Sequence, residues 1–138
     1  MGSVEPSEVQ LRAFAEATED VAPIVMINLL RYRAQAKYPE GFEAEPCSGR
    51  EAYQRYSSVA LGRIESVGGR IVWMGSVQAT VIAPSEERWD DAVLVEYPSR
   101  KAFIGMVSQP EYLAAAPHRT AALEDSRLIA SVAGNPLS

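Results

Sequence analysis

Glu96 stands at the end of the apolar run Ala92-Val93-Leu94-Val95, a costly place for a charge. By the two-residue alternation of a strand it shares a face with Ala92 and Leu94, and a desolvated carboxylate there would suit general acid or base work. The other reading is a structural ion pair with Arg70, Arg119 or Arg127. His118 is the single histidine of the chain; on the element expected to face Glu96, it could move a proton near neutral pH. Arg119 beside it could hold a carboxylate or enolate through two parallel hydrogen bonds. Against this, no second histidine and no triad partner accompanies His118, and both residues could equally lie on a solvated helix surface or at a dimer seam.

Asn28 is a lone amide in the run Ile24-Val25-Met26-Ile27-Asn28-Leu29-Leu30 and needs hydrogen-bond partners if buried. Such a group can mark a pocket, where it would stabilise an oxyanion. Tyr53, Tyr56 and Trp73 are expected to line the space between helix and sheet, as core packing, as the aromatic walls of a small-molecule cleft, or as both. Cys47 is the single cysteine, lies in a polar loop without a neighbouring base, and is read as incidental.

These residues need elements to position them. Residues 6–18 predict a short helix with Ser7 as N-cap and Gln10 completing a capping box. Residues 22–33 are apolar on both alternating faces, which predicts a central strand covered on both sides. A loop with Pro39, Gly41, Pro46 and Gly49 follows. Ser48 and Glu51 then form a second capping box, opening a helix that runs to about Val67 and is ended by Gly68-Gly69. A strand over residues 70–83 and another over 89–97 read as a hairpin. Pro98-Ser99 caps a helix buried through Ala102, Phe103, Met106 and Val107, and Gln109-Pro110 restarts helix, with Pro117 expected to bend or interrupt it. A strand over residues 126–132 closes the order.

The order is β-α-β-β-α-β behind an N-terminal helix: an α+β, ferredoxin-like domain with a four-stranded antiparallel sheet and both main helices on one face. One domain is expected, with residues 1–21 as a helical extension, 22–132 as core and 133–138 as a tail. Because the central strands are apolar on both faces and the two main helices cover only one, the other face needs a cover. The N-terminal helix could supply part of it; a second protomer packing sheet to sheet would cover it better, and a homodimer is expected.

The formal net charge of −5, with basic residues scattered and Arg31, Arg33 and Lys37 as the densest group, argues against nucleic-acid or anionic-membrane partners. No apolar run approaches membrane-spanning length, and the acidic N-terminus lacks the apolar stretch of a signal peptide, so a cytoplasmic location is expected. One cysteine and one histidine leave no internal disulfide, no thiolate cluster and no ready zinc site; no metal and no cofactor are expected. Phosphate-binding loops and nucleophile-elbow motifs are absent from the sequence.

Residues 22–132 resemble the DUF1330 family within the dimeric α/β-barrel superfamily. The resemblance is carried by Tyr53 and Tyr56, the Gly68-Gly69-Arg70 turn, Trp89, and above all Val95-Glu96-Tyr97-Pro98-Ser99 and Ser108-Gln109-Pro110-Glu111-Tyr112. Tyr97 stands where phenylalanine is more usual, and the loop at residues 34–49 is longer than typical. The resemblance implies a dimer whose sheets face each other, forming a dimeric α/β barrel with a cleft in each protomer between sheet and helices. The wider superfamily includes cofactor-independent oxygenases, haem-degrading enzymes, lactone isomerases and non-catalytic proteins, so fold alone selects no function. Two functions therefore stand side by side. In the first, Glu96 or His118 acts as base in cofactor-independent proton transfer or oxygenation of a small organic anion, with Arg119, Asn28, Tyr53, Tyr56 and Trp73 holding the substrate. In the second, a non-catalytic ligand-binding or stress-related dimer, the same residues only shape the pocket. A purely structural dimer would instead show a filled cleft and a paired Glu96.

Overall fold

The capping signals place the helices where their hydrogen bonds require. The computed structural model describes residues 2–16, 22–134 and 136–137. Along it run α1 (Glu8–Glu16), β1 (Ile24–Tyr32), α2 (Gly49–Ser66), β2 (Arg70–Ser76), β3 (Asp91–Tyr97), α3 (Arg100–Val107), α4 (Pro110–Ala122) and β4 (Leu123–Val132). At α2 the Ser48 hydroxyl accepts from the Glu51 N–H at 3.1 Å while the Glu51 carboxylate accepts from the Ser48 N–H at 2.8 Å, so the capping box closes both ways. Gly68 ends α2 with φ +82°, a conformation open to glycine at little cost. Ser99 caps α3 by accepting from the Ala102 N–H at 3.0 Å. The helix expected over residues 6–18 begins as anticipated, and its last two residues lie outside the described ones.

The four strands form one antiparallel sheet in the order β2-β3-β1-β4. Ile24 pairs with Tyr97, Met26 with Val95 and Asn28 with Val93, which puts these six side chains on one face. Ile24, Met26, Val93, Val95 and Tyr97 are buried there beneath Ala52 and Ile64 of α2, Phe103 and Met106 of α3 and Ala122 of α4. Each large aliphatic side chain buried this way contributes about 1.5–3 kcal/mol. α1 does not cross to the other face: its Phe14 meets Phe103 edge-on, ring centroids 5.7 Å apart. The opposite face carries Val25, Ile27 and Leu29 of β1, Ala92, Leu94 and Glu96 of β3, and Arg127, Ile129 and Ser131 of β4. Among the described residues no helix covers it.

Four expectations needed correction. β2 leaves the sheet at Ser76, so residues 77–83 are not strand, and β3 begins at Asp91, so Trp89 precedes it. Its indole instead lies under the Arg127 guanidinium at 4.9 Å. β4 starts at Leu123, directly after α4. α4 itself runs through Pro117 without interruption, because its packing along α2 outweighs the one backbone bond that proline forfeits.

Candidate functional site

The helix-facing side of the sheet and the facing sides of α2 and α4 gather aromatic hydroxyls. Tyr53 and Tyr56, three apart on α2, point the same way, with ring centroids 5.2 Å apart. Tyr32, at the end of β1, packs edge-on against Tyr53 at 5.6 Å. From α4, Tyr112 reaches across so that its hydroxyl lies 2.8 Å from that of Tyr56. Arg119, two turns further along α4, brings its guanidinium beside Tyr53 and Tyr56. Burial raises the pKa of both phenols, and the Arg119 charge offsets part of that rise. Tyr97, beneath them on β3, is likewise raised by burial.

At the edge of this cluster the Tyr32 hydroxyl donates to Asp91 Oδ2 at 2.7 Å, and Arg50 donates to the same oxygen at 3.2 Å. The Arg50 guanidinium also lies over the Tyr32 ring, 4.6 Å from its centroid. Burial, then the hydrogen bond to a carboxylate, keep this phenol protonated well above the usual tyrosine range.

Asn28 shares this face with Ile24 and Met26 and is half-buried. Its Nδ2 donates to the carbonyls of Val93 at 3.1 Å and Met26 at 3.4 Å. Both donors are thus engaged with the sheet, and what the amide offers a ligand is its acceptor oxygen rather than an oxyanion hole.

Glu96 and His118 do not meet. Glu96 lies on the open face, where its Oε1 accepts from Arg70 Nε at 3.0 Å; this is the structural ion pair of the alternative reading. His118 lies on the helix side, and the sheet separates the two. Its Nδ1 is 2.7 Å from the Tyr38 hydroxyl, and its ring packs edge-on against both Tyr38 and Phe42. It therefore fastens the long loop between β1 and α2. Trp73 does not join the aromatic cluster either. The pairing of β2 with β3 shifts by one residue between Ile71 and Trp73, turning Trp73 to the open face opposite Leu94. Its indole lies across Gly75 and is 62% exposed.

Of the expected set, the structure thus brings together Tyr53, Tyr56 and Arg119, with Asn28 on the same side of the sheet, and sets apart Glu96, His118 and Trp73. Sequence reasoning missed Tyr32 and Tyr112 as members. Tyr32 could have been found by parity, four residues beyond Asn28 on the same alternating face, and Tyr112 from its place in the Ser108–Tyr112 motif. An apolar groove lined by Leu11, Ala15, Ile104 and Val107 runs between α1 and α3, apart from this cluster.

A domain of unknown function, DUF1330, matches residues 47–133. The chain belongs to the DUF1330 family. A crystal structure of the methylated RPA0582 protein is 38% identical with a TM-score of 0.89, covering 99% of this chain and 98% of that one. Another of the RPA0582 protein, described as of unknown function and from Rhodopseudomonas palustris, is 37% identical with a TM-score of 0.88, covering 99% of this chain and all of the other. A dimeric protein of unknown function with a ferredoxin-like fold from Bacteroides fragilis aligns at 16% identity and a TM-score of 0.49, over 80% of this chain and 95% of its own. Comparison with curated proteins finds no match. The DUF1330 match begins at Cys47, just before the α2 capping box, and so includes Tyr53, Tyr56, Tyr112 and Arg119 but neither Asn28 nor Tyr32.

Proposed function

We propose that the protein is a homodimer that binds a small, planar organic acid between α2, α4 and the sheet, and does not transform it. One observation carries this reading: a guanidinium, Arg119, is held among the phenols of Tyr53, Tyr56 and Tyr112 on the two helices that roof the sheet. Aromatic walls with one cation and several hydroxyls suit a flat anion with polar substituents. The proton-transfer reading loses its support because its two bases stand on opposite sides of the sheet, Glu96 paired with Arg70 and His118 with Tyr38. Self-association is supported by the open sheet face, where Trp73 is 62% and Ile129 54% exposed beside Ile27 and Leu94.

Thermal-shift titration with benzoate, hydroxybenzoates and small lactones tests the site. The acids should raise the melting temperature, Arg119→Met should abolish the response, and Glu96→Gln and His118→Asn should preserve it. Loss of the response in Glu96→Gln, or turnover of a ligand, would overturn the reading.

A further inference from the structure

The N-terminal arm ahead of α1 is built into the fold at the Arg119 end of the cluster. The Ser3 N–H donates to Asp125 Oδ1 at 2.8 Å, and the Ser126 hydroxyl donates to the Ser3 carbonyl at 2.6 Å. Ser126 is buried, and this arm supplies the acceptor for its hydroxyl. Arg119 Nη1 donates to the Val4 carbonyl at 2.9 Å, while the Val4 side chain packs on the edge of the core. Gly2 passes so close to β4 that a β-carbon would collide with the Glu124 carbonyl. The guanidinium that the cleft presents is therefore already shared with a neutral acceptor from the chain itself.

We propose that residues 2–4 form a displaceable cap on this site, opened by an organic carboxylate whose oxygen replaces the Val4 carbonyl on Arg119. The inference rests on Arg119 being the ligand's anchor. A carboxylate makes a charge-assisted bond roughly twice as strong as that of a neutral carbonyl and can engage the guanidinium through both oxygens. The arm resists because its departure strips Ser126 of its acceptor and exposes Val4. Competition of this kind lowers the apparent affinity by the fraction of molecules in which the arm is open. A neutral ligand of the same shape, lodged among the phenols without taking Arg119 from the Val4 carbonyl, binds the closed and open forms alike and so gains nothing when the arm is removed.

The test is calorimetric titration of benzoate, and of benzamide as its neutral counterpart, into three proteins: the whole chain, the chain lacking residues 2–4, and Gly2→Val. The last dislodges the arm by collision with Glu124 while keeping residues 3 and 4 in the chain and every side chain of the aromatic cluster unchanged. Both altered proteins should bind benzoate about tenfold tighter or more, as expected when the open form is a minor one, with benzamide unaffected. In the whole chain, benzoate should speed hydrogen exchange at the Ser3 amide. Equal benzoate affinity in all three would overturn the cap and leave the site standing, as would equal gains for benzoate and benzamide. No benzoate binding by any of the three would overturn the site and the cap together.

Discussion

His118 shows how one side chain's partners decide its chemistry. Arg55 donates to the Tyr38 oxygen at 3.1 Å, and the Tyr38 hydroxyl stands 2.7 Å from His118 Nδ1, a geometry in which a neutral imidazole protonated on Nε2 can accept the phenol's proton. Burial, then the Arg55 charge, push its pKa below the ordinary histidine value. The unfolded chain takes up this proton at about pH 6.5 while the folded chain still resists it. Stability should therefore fall as pH drops below about 6.5 and level off once the folded imidazole also titrates. A chemical-shift titration should place His118 below an unstructured histidine, and Arg55→Gln should move it upward; an unshifted midpoint would contradict this. The phenols behave in the opposite sense. Tyr32, Tyr53, Tyr56 and Tyr97 are all raised, chiefly by burial. Unfolded tyrosines ionise near pH 10 while these stay protonated. Stability should thus be intact below about pH 10 and fall steeply above it, measured as melting temperature against pH, and Tyr56→Phe should make the fall shallower. Of the candidate residues, sequence patterning located those whose neighbours are local. Tyr53 and Tyr56 follow from helical spacing, whereas the Tyr38–His118 bond joins residues 80 apart and has no local signature.

At the level of elements, legibility followed local chemistry. Caps and turns were readable because their hydrogen bonds span three or four residues: Ser48 with Glu51, Ser99 with Ala102, Gly68 at the end of α2. The bulge in β2 was not, since nothing in Ile71-Val72-Trp73 marks the inserted residue, and one such residue reverses the facing of everything beyond it. That single shift is why Trp73 was expected in the cleft. Pro117 misled for the converse reason, because its local preference is overruled by packing along α2. Gly68 offers a measurable case. At φ +82° an alanine would be strained, and its β-carbon would stand 3.3 Å from Pro98 Cγ. Gly68→Ala should cost about 1–2 kcal/mol in urea unfolding with the slope unchanged. A neutral result would mean that α2 ends differently in solution.

On the scale of the molecule, the proposed homodimer rests on the sheet's uncovered face. Light scattering should give twice the chain mass at micromolar concentration, and a stable monomer would refute the sheet-to-sheet pairing. Ile129→Lys should yield a monomer with unchanged circular dichroism, because Ile129 is 54% exposed and opposite Ile27 in the middle of that face. The layering was visible in sequence as strands apolar on both sides; α1 was the ambiguous element, and its Phe14 settles it on the α3 side. The position of β1 also bears on how the protein is made. Ile24 lies between Tyr97 and Val132, so the middle strand has neither neighbour until β3 is synthesised, and its second neighbour only arrives with β4. Until β3 emerges, a segment with two greasy faces and two bare edges waits on the ribosome, a template for mispairing with other nascent copies. Synthesis thus leaves the most aggregation-prone strand for last satisfaction, and high-level expression should depend on holdase chaperones more than the finished protein's stability would suggest.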